Sequence, residues 1–274
     1  MKTFRTVAEM RVWPRSGTVG LVPTMGAFHE GHLSLIRAAR ERCDHVVVWL
    51  FVNPAQFDEA ADLAAYQRDE ARDAALAADL GADVLFAPVP EEVYPPGFAT
   101  TVDVGGLGDA YEGAHRPGHF KGVATVVLKM LNMVQPDRAF FGAKDAQQVA
   151  LVKRLVADLD LPVAIDVLPI VREPDGLALS SRNVHLDAAE RERALALHRA
   201  LRAAEAAVAG GERDAALLRA VAQRELAEVD AEYVAVVNPD TFDEVATVNG
   251  RVLIAVAARV GSTRLIDNTR IETQ

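Results

Sequence analysis

The stretch TVGLVPTMGAFHEGHLSLIRAARERC, residues 18–43, decides the predicted fold. A short β-rich run at 18–22 leads into the polar turn PTMGAFHEGH, and a helical pattern begins at His32. A strand that passes through a glycine-containing turn into a helix is the repeating unit of a parallel α/β sheet. Ligands of such sheets bind beyond the carboxyl ends of the strands, so this turn is the first candidate site.

The same alternation continues along the first three-fifths of the chain. Further strands are predicted at 45–52, 83–88, 138–142 and 162–171, and helices at about 58–80, 122–134 and 145–159. Near-continuous apolar strands alternating with helices predict an α/β fold, a Rossmann-like parallel sheet with helices on both faces. We assign residues 1–172 to this domain.

The pattern changes in the last third of the chain. Two charged, Ala-rich helices are predicted at 187–209 and 213–228, followed by strands at 233–238 and 252–258. The turn AGGERD separates the helices and supplies an N-cap signal. We therefore expect residues 173–274 to form a smaller C-terminal α+β domain.

Composition narrows the classes of function. The 274 residues are 50% hydrophobic and 25% charged, as in ordinary globular proteins, and 29 Lys and Arg against 39 Asp and Glu give a net charge of -10. That balance argues against a nucleic-acid or anionic-membrane partner. The single cysteine, Cys43, cannot form an intramolecular disulfide. With no apolar run of membrane-spanning length and no signal-peptide core in MKTFRTVAEMRVWP, we expect a cytoplasmic protein.

The turn PTMGAFHEGH has the residues that a phosphate site needs. Gly26 and Gly31 permit close backbone approach, and the helix that follows presents unpaired N–H groups. His29 and His32 are three residues apart, so both imidazoles can face one ligand and donate to phosphate oxygens. The alternatives are two unconnected histidines in a βα turn, or a zinc site, although the segment is not H-E-x-x-H. Neither a Walker A sequence nor a properly spaced G-x-G-x-x-G is present.

This order of residues resembles a known family. H-x-G-H after a first strand resembles the nucleotidyltransferases related to class I aminoacyl-tRNA synthetases, and PTMGAFHEGH resembles the pantothenate synthetase family. The resemblance continues in FVNPAQF at 51–57, RPGHFKGV at 116–123, FGAKDAQQ at 141–148, VREPDGLALSSRN at 171–183 and GSTRLIDN at 261–268. The third of these departs from the family's G-E-K-D-x-Q-Q, because Ala143 stands where Glu is usual.

The resemblance implies a set of site residues. The implied catalytic residues are His29, His32, Lys144 and Arg182. The implied contacts with ATP are Met25, Gly26, Ala27, Phe28, His29, Glu30, Gly31, His32, Gly142, Ala143, Lys144, Asp145, Val171, Leu179, Ser180, Ser181 and Arg182. The implied contacts with pantoate and β-alanine are Asn53, Gln56 and Gln148, and His119 and Lys121 could approach the nucleotide.

These residue types suit those roles chemically. The Gln56 amide can both donate to and accept from a hydroxy acid. Lys144 is a point charge for a polyphosphate, and the hydroxyls and guanidinium of the Ser-Ser-Arg segment form a fork for phosphate oxygens. Asp145 either caps the following helix or accepts from a ribose hydroxyl. Protein ligands for Mg²⁺ are not evident; Asp73 is a candidate, with ATP oxygens and water supplying most of the shell.

The reaction that the resemblance implies is an ATP-dependent ligation that forms a C–N bond. Pantoate would attack ATP to give pantoyl adenylate and pyrophosphate, and β-alanine would then release pantothenate and AMP. We expect the loops to converge at one site, the C-terminal domain to close over it, residues 57–73 with Tyr66 to cover it, and the protein to be a homodimer. The alternatives are another H-x-G-H nucleotidyltransferase that stops after nucleotidyl transfer, and a non-catalytic nucleotide-binding protein.

Overall fold

The computed structural model describes residues 1–57 and 69–273. The chain divides into two compact units. The first contains Met1–Ala143 and Leu151–Pro169, and the second contains Lys144–Ala150 and Ile170–Gln274. Most of the predicted cover over the site, including Tyr66, lies outside the described residues.

The first unit is built on a six-stranded parallel sheet. Its strands are β1 (Lys2–Phe4), β2 (Val19–Thr24), β3 (His45–Leu50), β4 (Val84–Phe86), β5 (Arg138–Gly142) and β6 (Ala164–Leu168). The spatial order is β1-β4-β3-β2-β5-β6, and each neighbouring pair is parallel. The predicted Rossmann-like sheet is therefore confirmed. From β2, the chain first adds β3 and β4 on one side and then adds β5 and β6 on the other side. The strand order therefore reverses between β2 and β5, and the carboxyl ends of these two strands form the switch point where such folds bind ligands.

Helices connect these strands, and their sequences explain their burial. They are α1 (Val7–Val12), α2 (Glu30–Arg42), α3 (Glu70–Asp79), α4 (Pro90–Val93), α5 (Glu112–His115), α6 (His119–Val134) and α7 (Ala146–Asp158). The apolar helix α6 is buried around most of its circumference. Short 3₁₀ turns lie at Pro54–Gln56 and Gly105–Gly108.

The second unit packs two helices with an antiparallel sheet. The helices α8 (Ala188–Ala209) and α9 (Ala215–Glu225) precede β7 (Asp230–Val237), β8 (Arg251–Val260) and β9 (Thr263–Glu272), which pair in that order. A 3₁₀ turn, Ser181–His185, precedes α8. Asp187 begins α8 with a capping box to Glu190. Small and aliphatic side chains from both helices and from the sheet form one buried cluster. The predicted smaller α+β region is thus confirmed.

Two strands differ from the sequence prediction. The edge strand β1 has only three residues, too few for a periodic signal. The strand β9 is expected from sequence only as a family-like ending, because its charged residues interrupt the apolar alternation. Asp267 and Asn268 of β9 are nevertheless buried. In the described ranges, 1–57 and 69–273, none of the helices combines the length and the hydrophobicity that crossing a bilayer requires.

Candidate active site

The turn between β2 and α2 has a backbone shape that a buried carboxylate holds. Gly26 and Ala27 have positive φ angles of 96° and 53°, and the left-handed region costs a residue such as alanine about 1–2 kcal/mol. Asp73 of α3 accepts hydrogen bonds from the backbone N–H groups of Ala27 (2.8 Å) and Phe28 (2.9 Å). Its side chain is only 1% exposed. Burial raises the pKa of Asp73, although both N–H bonds act in the opposite direction.

This geometry bears on the predicted metal site. Each oxygen of the Asp73 carboxylate already accepts from the turn. Within the described part of the chain, no group of three or more His, Cys, Asp or Glu residues could hold a metal ion. The structure therefore gives Asp73 a role in shaping the turn, and its role as a Mg²⁺ ligand stays a prediction.

The two histidines of the turn are oriented by the start of α2. His29 is the N-cap of α2, and its Nδ1 accepts from the N–H of Gly31 at 3.2 Å. The Nδ1 of His32 accepts from the N–H of His29 across a longer 3.4 Å, and the two ring centroids lie 4.2 Å apart. A backbone N–H can only donate, so neither Nδ1 carries the proton. Both neutral rings therefore carry their N–H on Nε2, which makes them paired hydrogen-bond donors.

Neighbouring residues of the motif have separate surroundings. A Cβ atom at Gly31 would lie 2.9 Å from the His29 ring, so glycine is required there for the cap. Phe28 is buried, and its ring centroid lies 5.5 Å from that of His32. Glu30 is exposed and pairs with Arg37, whose guanidinium lowers the pKa of Glu30. The predicted ATP contacts of Phe28 and Glu30 stay predictions.

The second predicted segment, residues 51–57, lies beside this turn. It follows β3, and Thr24 at the end of β2 pairs with Leu50 at the end of β3. The Gln56 Nε2 atom lies 2.9 Å from the Sδ atom of Met25. Asn53 and Gln56 are 1% and 9% exposed, which is unusual for amides and requires hydrogen-bond partners. The structure thus brings Met25 and the two predicted amides together.

Two basic residues of the predicted loop at 116–123, Arg116 and His119, contact the backbone of Gln56. The backbone carbonyl of Gln56 accepts from Arg116 Nη2 at 3.1 Å and lies 2.9 Å from His119 Nδ1. His119 is buried, whereas Lys121 is exposed and pairs with Asp103 at 2.9 Å. That pairing raises the pKa of Lys121. His119 therefore contacts the backbone of the amide segment, and the approach of both residues to the nucleotide stays a prediction.

The predicted segment FGAKDAQQ, residues 141–148, contains residues of both units. Gly142 ends β5, and the N–H of Ala143 donates to the carbonyl of Leu168 at 2.8 Å. Lys144, Asp145 and Gln148 belong to the second unit. The carbonyl of Asp145 accepts from the N–H of Val149 at 3.0 Å, which supports its expected place at the start of α7.

Lys144 is held through its backbone by the C-terminal strand. The Nδ2 atom of Asn268 donates to the carbonyl of Lys144 at 2.8 Å. The Lys144 side chain is 19% exposed, and its Nζ atom lies 4.0 Å from Asp145 Oδ1, the limit for an ion pair. Asn268 is buried, so β9 fixes the backbone from which the predicted phosphate-binding lysine projects.

The predicted segment at 171–183 forms a small hairpin, and β9 anchors it as well. The N–H of Leu179 donates to the carbonyl of Val171 at 3.0 Å. Arg172, next to Val171, binds both carboxylate oxygens of the buried Asp267, at 2.6 and 2.9 Å. A two-bond arginine–carboxylate pair of this kind fixes geometry as well as adding stability. The C-terminal ending therefore serves to position two predicted site segments.

The Ser-Ser-Arg end of the hairpin opens the 3₁₀ turn at 181–185. Ser180 is its N-cap, with the side-chain oxygen accepting from the N–H of Arg182 at 3.2 Å. Ser181 is the first residue of the turn. Across the residues that the structure describes, Arg182 forms no ion pair, in contrast to the nearby Arg172 and Arg191. An unpaired, half-buried guanidinium is suited to binding an anion.

Sequence reasoning did not identify the residues that support these segments. The sequence suggests Asp73 only as a metal ligand. It gives no place in the site to Arg116, to Asn268 or to Tyr94, whose hydroxyl donates to Asn53 Oδ1 at 2.8 Å. Their roles depend on contacts between parts of the chain that are 41 to 124 residues apart. No local pattern announces such contacts.

Comparisons with known proteins agree along the whole chain. The family model of pantoate-beta-alanine ligase matches residues 2–270. The pantothenate synthetase of Roseiflexus sp. is 51% identical to this chain, and the match covers 99% of this chain and 100% of the relative. The pantothenate synthetase of Cereibacter sphaeroides (strain ATCC 17029 / ATH 2.4.9) is 53% identical, and the match covers 97% of this chain and 98% of the relative.

Solved structures give the same result. A pantothenate synthetase from Thermus thermophilus has a TM-score of 0.94 at 47% identity, covering 98% of this chain and 99% of that one. A pantoate-beta-alanine ligase from Francisella tularensis, complexed with beta-gamma ATP and beta-alanine, has a TM-score of 0.80 at 33% identity, covering 98% and 97%. The predictions of the family and of a ligase are confirmed: this chain belongs to the pantoate-beta-alanine ligase family.

Proposed function

We propose that the protein condenses pantoate with β-alanine in two steps driven by ATP. In the first step a pantoate carboxylate oxygen attacks the α-phosphorus of ATP, and the bond to the pyrophosphate leaving group breaks. In the second step the β-alanine amine attacks the acyl carbon and loses a proton, and AMP leaves with the oxygen that joined it to the acyl group. The products are pantothenate, AMP and pyrophosphate.

The observation that carries this proposal is the orientation of the two imidazoles. His29 and His32 each have Nδ1 bonded to the backbone at the start of α2, so each donates from Nε2. Negative charge grows on the phosphate oxygens as the carboxylate attacks, and preorganised donors stabilise that charge more than the ground state. We assign His29 and His32 to this role, together with Lys144, Ser180 and Arg182.

The substrate acid is assigned to the amides. We propose that Asn53, Gln56 and Gln148 bind pantoate or β-alanine, and that residues 25–32, 142–145, 171 and 179–182 contact ATP. Asn53 and Gln56 are supported by their burial beside Met25. The enzyme needs no nucleophile of its own in this scheme. Cys43 fits that view, because it is a buried residue at the end of α2 whose pKa is raised by burial.

Magnesium enters this scheme only with the nucleotide. The described residues offer no cluster of ligands for it, so we propose that Mg²⁺ binds the phosphates of ATP with water completing its shell. We assign no step to a protein-bound metal. The predicted homodimer, the cytoplasmic location and closure of residues 173–274 over the site stay predictions.

A product analysis with single omissions tests the proposed function. The protein is incubated with ATP, pantoate and β-alanine, and with each omitted in turn, and the products are identified by mass spectrometry. We expect pantothenate and AMP only when all three are present. Complete turnover to a free nucleotidyl product without β-alanine would favour a nucleotidyltransferase that stops after the first step. No pantoate-dependent AMP under any condition would favour a non-catalytic nucleotide-binding protein.

A further inference from the structure

A chain of hydrogen bonds within the first unit runs from a tyrosine to the Gln56 amide. The hydroxyl of Tyr94 donates to Asn53 Oδ1 at 2.8 Å, and Asn53 Nδ2 donates to Gln56 Oε1 at 3.1 Å. The Nε2 atom of Gln56 in turn donates to Met25 Sδ at 2.9 Å. Tyr94 follows the short helix α4 and belongs to none of the segments that carry the family resemblance.

Two backbone groups fix the direction of this chain. Asn53 Oδ1 accepts from the N–H of Ala55 at 3.2 Å, and Asn53 Nδ2 lies 3.2 Å from the carbonyl of Gly122. An N–H cannot accept and a carbonyl cannot donate, so the Asn53 amide has a single allowed orientation. Its NH₂ group must then face an acceptor on Gln56. Gln56 therefore turns its oxygen inward to Asn53 and its NH₂ group outward to Met25.

The Tyr94 hydroxyl acts only as a donor in this series of hydrogen bonds. Burial raises the pKa of Tyr94 to about 12, so the hydroxyl keeps its proton at every pH at which the enzyme would be assayed. The ring packs between Phe51 and Phe98, with centroid distances of 6.3 and 5.2 Å. These contacts hold the ring independently of its hydroxyl. Removing the hydroxyl alone is therefore a clean change.

The main chain of Gln56 is fixed as well. Its carbonyl lies between Arg116 Nη2 and His119 Nδ1. Since a carbonyl only accepts, His119 carries its proton on Nδ1, and its Nε2 atom, 3.2 Å from Arg116 Nη1, acts as an acceptor. With the backbone held in this way, the orientation of the Gln56 amide depends on its side-chain neighbours, chiefly Asn53.

We propose that Tyr94 is a positioning residue that acts through Asn53 and presents Gln56 to the substrate as an N–H donor. This inference rests on the proposed binding of a hydroxy acid by Gln56. The thioether of Met25 is a weak acceptor, so a carboxylate or hydroxyl oxygen of the acid would replace it as the stronger partner. Gln56 would then select an oxygen acceptor on the substrate, and Tyr94 would set that selectivity from outside the binding surface.

The test is Tyr94→Phe in the full-length enzyme. Without the Tyr94 hydroxyl, Asn53 Oδ1 keeps only the longer bond from the N–H of Ala55, at 3.2 Å. Asn53 is then held less tightly, and so is the Gln56 amide that it orients. We expect the half-saturating pantoate concentration to rise about fivefold to tenfold, the size of one lost hydrogen bond. We expect the half-saturating concentrations of ATP and β-alanine and kcat to change less than about twofold. The urea midpoint should stay close to that of the wild type, because the ring packing is retained.

A double-substitution cycle separates positioning from a general structural effect. If Tyr94 acts through Gln56, adding Tyr94→Phe to Gln56→Ala produces no further rise in half-saturating pantoate. An equal rise in both backgrounds, an equal effect on ATP, or an unchanged value in Tyr94→Phe alone would each overturn the inference. A wild-type enzyme that forms no pantothenate would instead overturn the proposed function, and the inference with it.

Discussion

The substitution Asp73→Asn tests whether the buried carboxylate shapes the histidine turn. An amide has nearly the same volume as a carboxylate, but only one of its two polar atoms can accept. One of the N–H groups of Ala27 and Phe28 would then face an NH₂ group instead of an oxygen. The substitution changes the chemistry of the contact while keeping its shape.

The expected size of the effect follows from these contacts. A buried N–H without an acceptor costs about 1–3 kcal/mol, and Ala27 already lies in the left-handed region at φ 53°. A loss of about 2 kcal/mol in the native turn corresponds to roughly a 30-fold fall in the equilibrium constant between the native turn and its alternatives, since each 1.4 kcal/mol is tenfold. That fall reaches activity in full where the alternatives, with Ala27 relieved of its left-handed backbone, lie close in free energy to the native turn. We expect pantoate-dependent pyrophosphate release at saturating substrates to fall by about 10- to 50-fold.

Global stability should change much less than activity. Burial disfavours the ionised form of the Asp73 carboxyl group and raises its pKa. A neutral amide does not carry this desolvation cost. We expect the Tm of Asp73→Asn to lie within a few degrees of wild type. Asp69→Asn is the matched control, because Asp69 caps the same helix by accepting from the N–H of Arg72, and Asn is an equally good cap.

Two results would refute this reasoning. Activity within about twofold of wild type would mean that the turn keeps its shape without the carboxylate. Restoration of Asp73→Asn by excess Mg²⁺, with no such response in Asp69→Asn, would mean that Asp73 serves the metal instead of the turn.

Three further outcomes follow from the structure. His32→Ala removes an Nε2 donor and should lower the rate of adenylate formation by about 100-fold or more, as for other preorganised donors, with little change in pantoate binding; equal losses in both would contradict a transition-state role. Asn268→Ala releases the backbone of Lys144 and should raise the KM for ATP about tenfold without changing half-saturating pantoate, measured by initial rates, and a selective pantoate effect would count against it. Burial lowers the pKa of His198 in the second unit, so the unfolded chain takes up the proton first, and stability is lost as the pH falls from about 6.5 towards the lower folded pKa. The drop in urea midpoint between pH 8 and pH 5.5 should therefore be smaller in His198→Phe than in wild type, and equal drops would show that another group is responsible.

Much of the fold could be predicted because its signals are local. The strands β3 and β5 are short apolar runs with clear ends, and Asp187 marks the start of α8 with a capping box. The strands β1 and β9 could not be predicted in this way. One has three residues, and the other contains buried polar residues whose partners, Arg172 and Lys144, lie far away in sequence.

The candidate site divides along the same line. The place of His29 and His32 at the start of α2 could be predicted, because the cap that orients them lies within four residues of sequence. The residues that hold the segments in place were not, because Asp73 and Tyr94 reach their partners only after the sheet has formed. Sequence motifs therefore mark the groups that we propose to face substrate, while the groups that position them appear only in three dimensions.

The transfer of oxygen from pantoate to AMP tests the central chemical claim directly. Pantoate labelled with ¹⁸O in both carboxylate oxygens is incubated with the enzyme, ATP and β-alanine, and the products are weighed by mass spectrometry. Attack of the carboxylate on the α-phosphorus predicts one ¹⁸O in AMP and one retained in pantothenate. Unlabelled AMP, or label recovered in inorganic phosphate, would contradict an acyl-adenylate route.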